Sequence, residues 1–156
     1  MSKIIIAIDP GVSMGWAVSI DGKVKDYGTW VFEGEWPERL SSCSCKIVGT
    51  MENNLEVISK SSRHVVIEKM FDNPGPSRPA LKLLQRYIGV LMAAASDFDC
   101  DVHEVGTTTW KKSLGKGNMG KDEVRKAVKM VWGIDELPQT DAADALGMLW
   151  WAQGRV

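Results

Sequence analysis

The chain has 156 residues, of which 44% are hydrophobic and 25% charged, and its formal net charge is −1. This balance excludes a disordered chain and predicts one domain over residues 1–156 with enough apolar material for a core. The longest mostly apolar stretch, residues 88–95, is far shorter than the roughly 20 residues of a membrane span, so we expect no membrane partner. The apolar run before Asp9 is too short for a signal-peptide core, and we therefore expect a cytoplasmic protein.

The first part of the chain predicts an antiparallel meander of three strands. A continuous aliphatic run over residues 4–8 is typical of a strand buried on both faces, and Asp9-Pro10-Gly11 ends it. A second strand is predicted over residues 16–20 and a third over residues 23–32. Asp21-Gly22 between them favours a type I′ turn, because both residues tolerate a positive φ.

Helices and strands alternate in the remainder. The pattern predicts a helix over residues 38–61, a short strand over residues 65–67 that ends at Glu68, and a proline-rich loop over residues 72–79. It then predicts a helix at 81–95, a strand at 101–105, a short helix near Trp110 capped within 107–109, a basic helix at 121–132, and a last helix at 141–153 capped by Thr140. The fourth and fifth strands each follow a crossover and should lie parallel to the first. The predicted fold is α/β, with a five-stranded mixed sheet and helices on both faces.

Four carboxylates stand at positions where such a fold can bring them together. Asp9 and Glu68 follow strands that we expect to be parallel neighbours, so both should emerge at the same sheet edge. Asp141 and Asp144 are three residues apart on the last helix and share one face. Acids so placed repel one another unless a cation lies between them, and oxygen ligands suit Mg²⁺ or Mn²⁺. Two such ions about 3.5–4 Å apart can hydrolyse a phosphodiester.

Each acid also has an explanation without function. Asp9 before Pro-Gly could be a turn residue, and Glu68 could mark where its strand leaves the core. Asp141 could be an acid favoured by the positive end of the helix dipole. Asp144, deeper in an Ala- and Leu-rich helix, is harder to explain in this way. The metal-site hypothesis therefore rests on all four acids together.

Positive charge is concentrated in one segment of this nearly neutral chain. Residues 111–129 contain seven basic and two acidic residues, which favours contact with nucleic acid. A solvated helix face is the alternative. Trp110 lies beside this segment and could stack on DNA, whereas His64 and His103 are interpreted as surface or core-edge residues rather than catalytic ones.

Three motifs resemble the RuvC-type crossover junction endonucleases. They are Ile8-Asp9-Pro10-Gly11 followed by Gly15, the strand end Val-Ile-Glu at Glu68, and Asp141-Ala-Ala-Asp144-Ala-Leu. The resemblance runs from Lys3 to about Ala152. It implies an RNase H-like fold, a homodimer with one active site per subunit that uses the 81–95 helix for dimerisation, and paired Mg²⁺-dependent nicks across a four-way DNA junction. Ordinary core packing is the alternative explanation for the apolar faces of that helix. It also implies a bacterial protein or a bacteriophage relative acting in an infected cell.

The same resemblance implies roles for individual residues. Asp9, Glu68, Asp141 and Asp144 would be catalytic and would bind two Mg²⁺ ions, with Mn²⁺ able to substitute. Lys111 and Lys121 would face the phosphates near the cut. Phe71 would stack on opened bases, although it could instead pack its loop onto the core. The full set of candidate DNA-binding residues is Phe71, Arg78, Lys111, Lys112, Lys116, Lys121 and Arg125.

Three other functions are alternatives to junction cleavage. Another RNase H-like nuclease, one that cuts flaps or RNA strands, would use the same metal site. A phosphotransferase of the actin-like superfamily also carries an Asp-x-Gly turn, but that architecture normally needs two such domains. A catalytically silent DNA-binding module is disfavoured, because a pure binder gains by losing negative charge near phosphates.

Overall fold

A computed structural model of the protein describes residues 2–55, 61–69 and 78–156, without the side chain of Arg78. Its strands are β1 (Ser2–Asp9), β2 (Ser13–Ile20), β3 (Lys23–Val31), β4 (Ser61–Glu68) and β5 (Asp101–Val105). They form one sheet in the order β3-β2-β1-β4-β5. The β1–β2 and β2–β3 pairs are antiparallel, and the β1–β4 and β4–β5 pairs are parallel. The predicted mixed sheet is confirmed.

The helices cover both faces of this sheet. They are α1 (Glu38–Leu55), α2 (Arg78–Asp97), α3 (Thr107–Leu114), α4 (Lys121–Trp132) and α5 (Thr140–Ala152). Alternate side chains of β1 enter different cores: Ile4, Ile6 and Ile8 pack with α1 and α2, whereas Ile5 and Ala7 pack with α3, α4 and α5. A strand buried on both faces must be apolar at every position, which explains the unbroken aliphatic run.

The hairpin between β2 and β3 has the predicted turn. Asp21 and Gly22 have φ values of 51° and 78°, the pair of positive angles that a type I′ turn requires. Among the described residues, no helix is long and apolar enough to cross a membrane.

Several predicted boundaries were wrong. The helix predicted to reach residue 61 is described only to Leu55, and Ser61 already belongs to β4, where it pairs with Ser2. Pro79 was assigned to a loop but lies in the first turn of α2, where the missing proline N–H costs no hydrogen bond. The rest of the predicted loop, residues 72–77, lies outside the described residues.

Two predicted helix caps were also wrong. Thr140 is the first residue of α5, Gln139 takes the N-cap position, and no side chain makes a capping hydrogen bond there. Thr107 is likewise inside α3, whose N-cap is Gly106. The Thr107 hydroxyl bonds to Glu68 instead.

Candidate active site

Asp9 and Glu68 lie at the same edge of the sheet. The parallel register pairs Ile8 of β1 with Ile67 of β4, so the next residue of each strand leaves the sheet beside the other. The pKa of Asp9 is raised well above its ordinary value, first by burial and then by the negative charges of Glu68, Asp144 and Asp141. All four predicted acids therefore lie within electrostatic reach of one another.

Asp141 and Asp144 reach this edge on the first turns of α5. The hydroxyl of Ser13 donates a 2.6 Å hydrogen bond to Asp141 Oδ2, which joins the start of β2 to the helix. Burial, followed by the charge of Glu68, raises the pKa of Asp144 to about 6, while Lys111 and Lys121 act in the opposite direction. Asp144 is thus a half-buried carboxylate that lies near other negative charges.

A glycine lets α5 approach the sheet closely enough to place these acids. A Cβ atom on Gly15 would stand 1.8 Å from the carbonyl oxygen of Asp141 and 3.0 Å from the amide nitrogen of Ala142. Gly15 is also the register partner of Asp9 in the β1–β2 pair. The helix backbone therefore touches the strand backbone beside the first acid.

Glu68 accepts hydrogen bonds from two side chains of α3. The Thr107 hydroxyl donates to Glu68 Oε1, and Trp110 Nε1 donates to Oε2 at 3.1 Å. Trp110 is fully buried. The interpretation of Trp110 as a residue that stacks on DNA is therefore wrong, since its ring faces the core and its N–H faces Glu68.

Two of the predicted basic residues act on the carboxylates. Lys111 lowers the pKa of both Asp9 and Asp144, and its ammonium group donates a 3.0 Å hydrogen bond to the carbonyl of Met119. Lys121, exposed at the start of α4, lowers the pKa of Asp144. Both lysines therefore supply positive charge beside the acids.

The other predicted DNA contacts are placed differently. Lys112 is exposed on α3, and Lys116 forms an ion pair with Glu123 at 2.5 Å. Arg125 bonds the Pro138 carbonyl at 2.7 Å and so ties α4 to the segment before α5. Phe71 and the side chain of Arg78 lie outside the described residues. DNA contact by these residues stays a prediction.

The donor set suits a hard divalent cation. Carboxylate oxygens are the ligands that Mg²⁺ prefers. Burial, and after it the negative charge of the neighbouring acids, raises the pKa of Asp9 and Asp144, and a bound cation would favour the ionised form of both. In the described part of the chain, no three His, Cys, Asp or Glu side chains converge closely enough to form a ready-made metal cage. Glu68 and Asp141 are instead turned to the protein donors described above.

Sequence reasoning missed the three donors, Ser13, Thr107 and Trp110. Ser13 follows the Asp-Pro-Gly turn by two residues, and Thr107 follows β5 by two residues, so both stand near the predicted edge. Their place in the sequence, close to the predicted ends of the strands, was the one signal that could have identified them as neighbours of the acids. The two histidines are half-buried, as expected for residues at the edge of the core. His64, four residues before Glu68 on β4, has its Nδ1 atom 3.2 Å from Nε2 of His103.

The sheet order and the placement of the acids define the class of protein. Three antiparallel strands followed by two parallel ones, with acids at the ends of β1 and β4 and on the last helix, make an RNase H-like fold with a carboxylate site. The Thermus thermophilus RuvC structure, in complex with Holliday junction substrate, has this fold: it superposes with a TM-score of 0.80 at 19% identity, covering 95% of this chain and 91% of that one.

Comparison with known sequences then gives the family, although no family model matches the chain. The crossover junction endodeoxyribonuclease RuvC of Hydrogenovibrio crunogenus is 31% identical over 147 residues, covering 92% of this chain and 83% of that protein. The corresponding protein of Bdellovibrio bacteriovorus is 28% identical over 156 residues, covering 95% and 88%. The chain belongs to the RuvC crossover junction endodeoxyribonuclease family. Nucleases of this type are metal-dependent in general.

Proposed function

We propose that this protein is an endodeoxyribonuclease that resolves four-way (Holliday) junctions, or related branched DNA, by paired hydrolysis of phosphodiester bonds. The observation that carries the proposal is that the parallel register brings Asp9 and Glu68 to one edge of the sheet, where burial and then the charges of Glu68, Asp144 and Asp141 raise the pKa of Asp9. Buried acids that repel one another cost folding free energy, and such an arrangement in a folded protein indicates a functional site.

The four carboxylates are proposed as the metal ligands, with two Mg²⁺ ions per site and Mn²⁺ able to replace them. When bound, these ions would activate water and stabilise the leaving oxygen. Asp9 and Glu68 would hold the sheet side of the site, and Asp141 and Asp144 the helix side. In the metal-free protein, burial and the neighbouring negative charges disfavour the ionised forms of Asp9 and Asp144, and a bound cation would offset both effects.

The lysines are proposed to orient the scissile phosphate. Lys111 and Lys121 act on the carboxylates from the α3–α4 side, so a phosphate between them and the acids would meet positive charge there. Lys111 is held by the Met119 carbonyl, which lowers the conformational entropy lost when DNA binds.

We further propose that the protein is a homodimer and acts in the cytoplasm. Residues 1–156 of each subunit would form one domain with one active site. Paired cuts across a junction require two active sites, and a dimer supplies them. Support comes from α2, where Leu84 and Ile88 are half-buried yet belong to neither core cluster of the described residues. A second subunit could cover them.

Strand-specific cleavage in Mg²⁺ tests the proposal. Four substrates would be compared: a four-way junction labelled in each strand, a linear duplex of matched sequence, a flap, and an RNA–DNA hybrid. We expect symmetric nicks in two strands of the junction and little cutting of the duplex. Asp144→Asn should bind the junction without cutting it, whereas Glu52→Gln, an exposed acid on α1, should cut normally. Preferred cutting of the flap or hybrid would contradict junction resolution, and cleavage by Asp144→Asn at the parental rate would contradict the site.

A further inference from the structure

Glu68 is held at both oxygens by one short helix. Thr107 Oγ1 donates to Oε1 and Trp110 Nε1 donates to Oε2 at 3.1 Å. Thr107 and Trp110 are three residues apart on α3 and therefore share a face of that helix. The first turn of α3 thus presents two neutral hydrogen-bond donors to a single carboxylate.

The packing around Trp110 fixes its indole. The ring is fully buried, and Gly147 of α5 leaves the space for it, since a Cβ on Gly147 would stand 2.5 Å from a ring carbon. The Ser113 hydroxyl also bonds the Trp110 carbonyl at 2.6 Å. An aromatic ring enclosed in this way has one position for its N–H, so the donor to Glu68 is built into the core.

The position of Glu68 beside another acid explains why such support matters. Ile8 and Ile67 are register partners, so Asp9 and Glu68 leave the sheet side by side, and two carboxylates so placed repel one another in the metal-free protein. A glutamate free to rotate would turn away from that repulsion toward water. Two uncharged donors keep it in place without neutralising it, and a carboxylate has about four acceptor positions, so sites for a metal remain.

We infer that Thr107 and Trp110 are positioning residues that orient Glu68 for metal binding. The inference rests on the proposed function, in which Glu68 is a metal ligand. Partners that orient a ligand in this way typically contribute about 10- to 100-fold to metal affinity. The competing explanation is that Trp110 only fills the core and Thr107 only satisfies its own hydroxyl; in that case metal affinity would not depend on either donor.

A matched pair of substitutions at Thr107 separates these explanations. Thr107→Val keeps the β-branched shape and removes the donor, whereas Thr107→Ser keeps the donor. Mn²⁺ binding to the full chain would be measured by isothermal titration calorimetry, without DNA, beside the melting temperature in EDTA. We expect Thr107→Val to weaken Mn²⁺ binding about 10- to 100-fold and Thr107→Ser to restore it to within about 3-fold. Parental affinity in a folded Thr107→Val protein would overturn the inference.

Two further variants keep the result interpretable. Trp110→Phe removes the other donor and decides the question if Thr107→Val does not fold; it too should weaken Mn²⁺ binding, and parental affinity would count against the inference. Glu68→Gln tests the proposed function itself. If Glu68→Gln binds Mn²⁺ like the parental chain, the metal site is wrongly assigned. If Glu68→Gln loses binding while Thr107→Val and Trp110→Phe keep it, only the positioning role fails.

Discussion

Gly15 and Asp141 meet backbone to backbone, with only 1.8 Å between the carbonyl oxygen of Asp141 and the position that a Cβ on Gly15 would occupy. Since Gly15 pairs with Asp9 across the sheet, this contact sets how close the acids of α5 come to the acid of β1. Because Gly15 has no side chain, α5 can lie directly against β2. This contact sets the geometry of the site, although β2 itself contributes no acid.

Gly15→Ala should displace α5 and damage both stability and catalysis. The clash is with main-chain atoms, which cannot rotate away, so we expect a loss of about 3 kcal/mol or more in the free energy of unfolding. Chemical denaturation and junction cleavage measure the two effects. Gly49→Ala is the control: apart from the adjoining residues and backbone of α1 itself, no atom of the described residues lies within 4 Å of the Cβ position, and alanine should stabilise that helix by about 0.5–1 kcal/mol. Equal stability of Gly15→Ala and the parental protein would contradict the contact.

Asp9 and Asp144 should make the metal-free protein less stable as pH rises. The pKa of Asp144 is about 6 in the folded state against an ordinary value of 3.8, and that of Asp9 is raised too. Between pH 3.8 and about 6, Asp144 holds more protons in the folded state than in the unfolded state. The free energy of unfolding therefore falls as pH increases through this range. For Asp144 the loss is at most about 3 kcal/mol, at 1.36 kcal/mol per pKa unit. The pKa of His64 is lowered by burial and acts in the opposite direction, so melting in EDTA from about pH 4.5 to 7.5 should compare the parental chain with Asp144→Asn, in which His64 is unchanged. The stability advantage of Asp144→Asn should grow with pH, and an advantage that stays constant or shrinks would contradict the prediction.

Asp144→Asn should stabilise the metal-free protein at neutral pH while removing activity. The amide carries no charge, so burial and the neighbouring Glu68 no longer penalise this position. We expect a gain of about 1–2 kcal/mol in EDTA and no gain in saturating Mg²⁺, where the parental protein recovers the difference by binding metal. Denaturation with and without Mg²⁺ measures this. A variant less stable than the parental chain in EDTA would show that the carboxylate is not under repulsion.

Lys111 and Lys112 should differ sharply although they are adjacent. Lys111 acts on Asp9 and Asp144, whereas Lys112 is exposed on another side of α3. Lys111→Gln should lower the cleavage rate by about 10²- to 10³-fold, as expected for loss of a charge that acts on the reacting phosphate. Lys112→Gln should mainly weaken binding and lower the salt dependence of binding by about one ion. Single-turnover kinetics separate the two, and equal losses of rate would contradict the distinction.

The sheet and the meeting of the acids could be read from the sequence because both depend on local patterns. An aliphatic run that ends at Asp9, another that ends at Glu68, and a helical crossover between them suffice to place both acids at one edge. The Asp21-Gly22 turn was predictable for the same reason, since its backbone angles follow from the two residues themselves.

What the sequence could not provide were contacts between distant segments. Trp110 stands beside lysines in the chain, which suggested DNA, but Gly147 leaves room for its ring only once α3 and α5 are packed together. Thr107 looked like a helix cap because its local surroundings allow one, and its hydroxyl found Glu68 instead. The end of α1 was misjudged because pairing with β1, rather than helical periodicity, determines the structure from Ser61 onward.

The most direct measurement is anomalous diffraction from crystals of the protein soaked in Mn²⁺. We expect a strong anomalous peak coordinated by Asp9 and by at least one carboxylate of β4 or α5, with a second peak nearby, and both peaks should disappear in Asp144→Asn or weaken greatly. Crystals saturated with Mn²⁺ that show no peak between Asp9, Glu68, Asp141 and Asp144, or that bind the ion only elsewhere, would contradict this expectation.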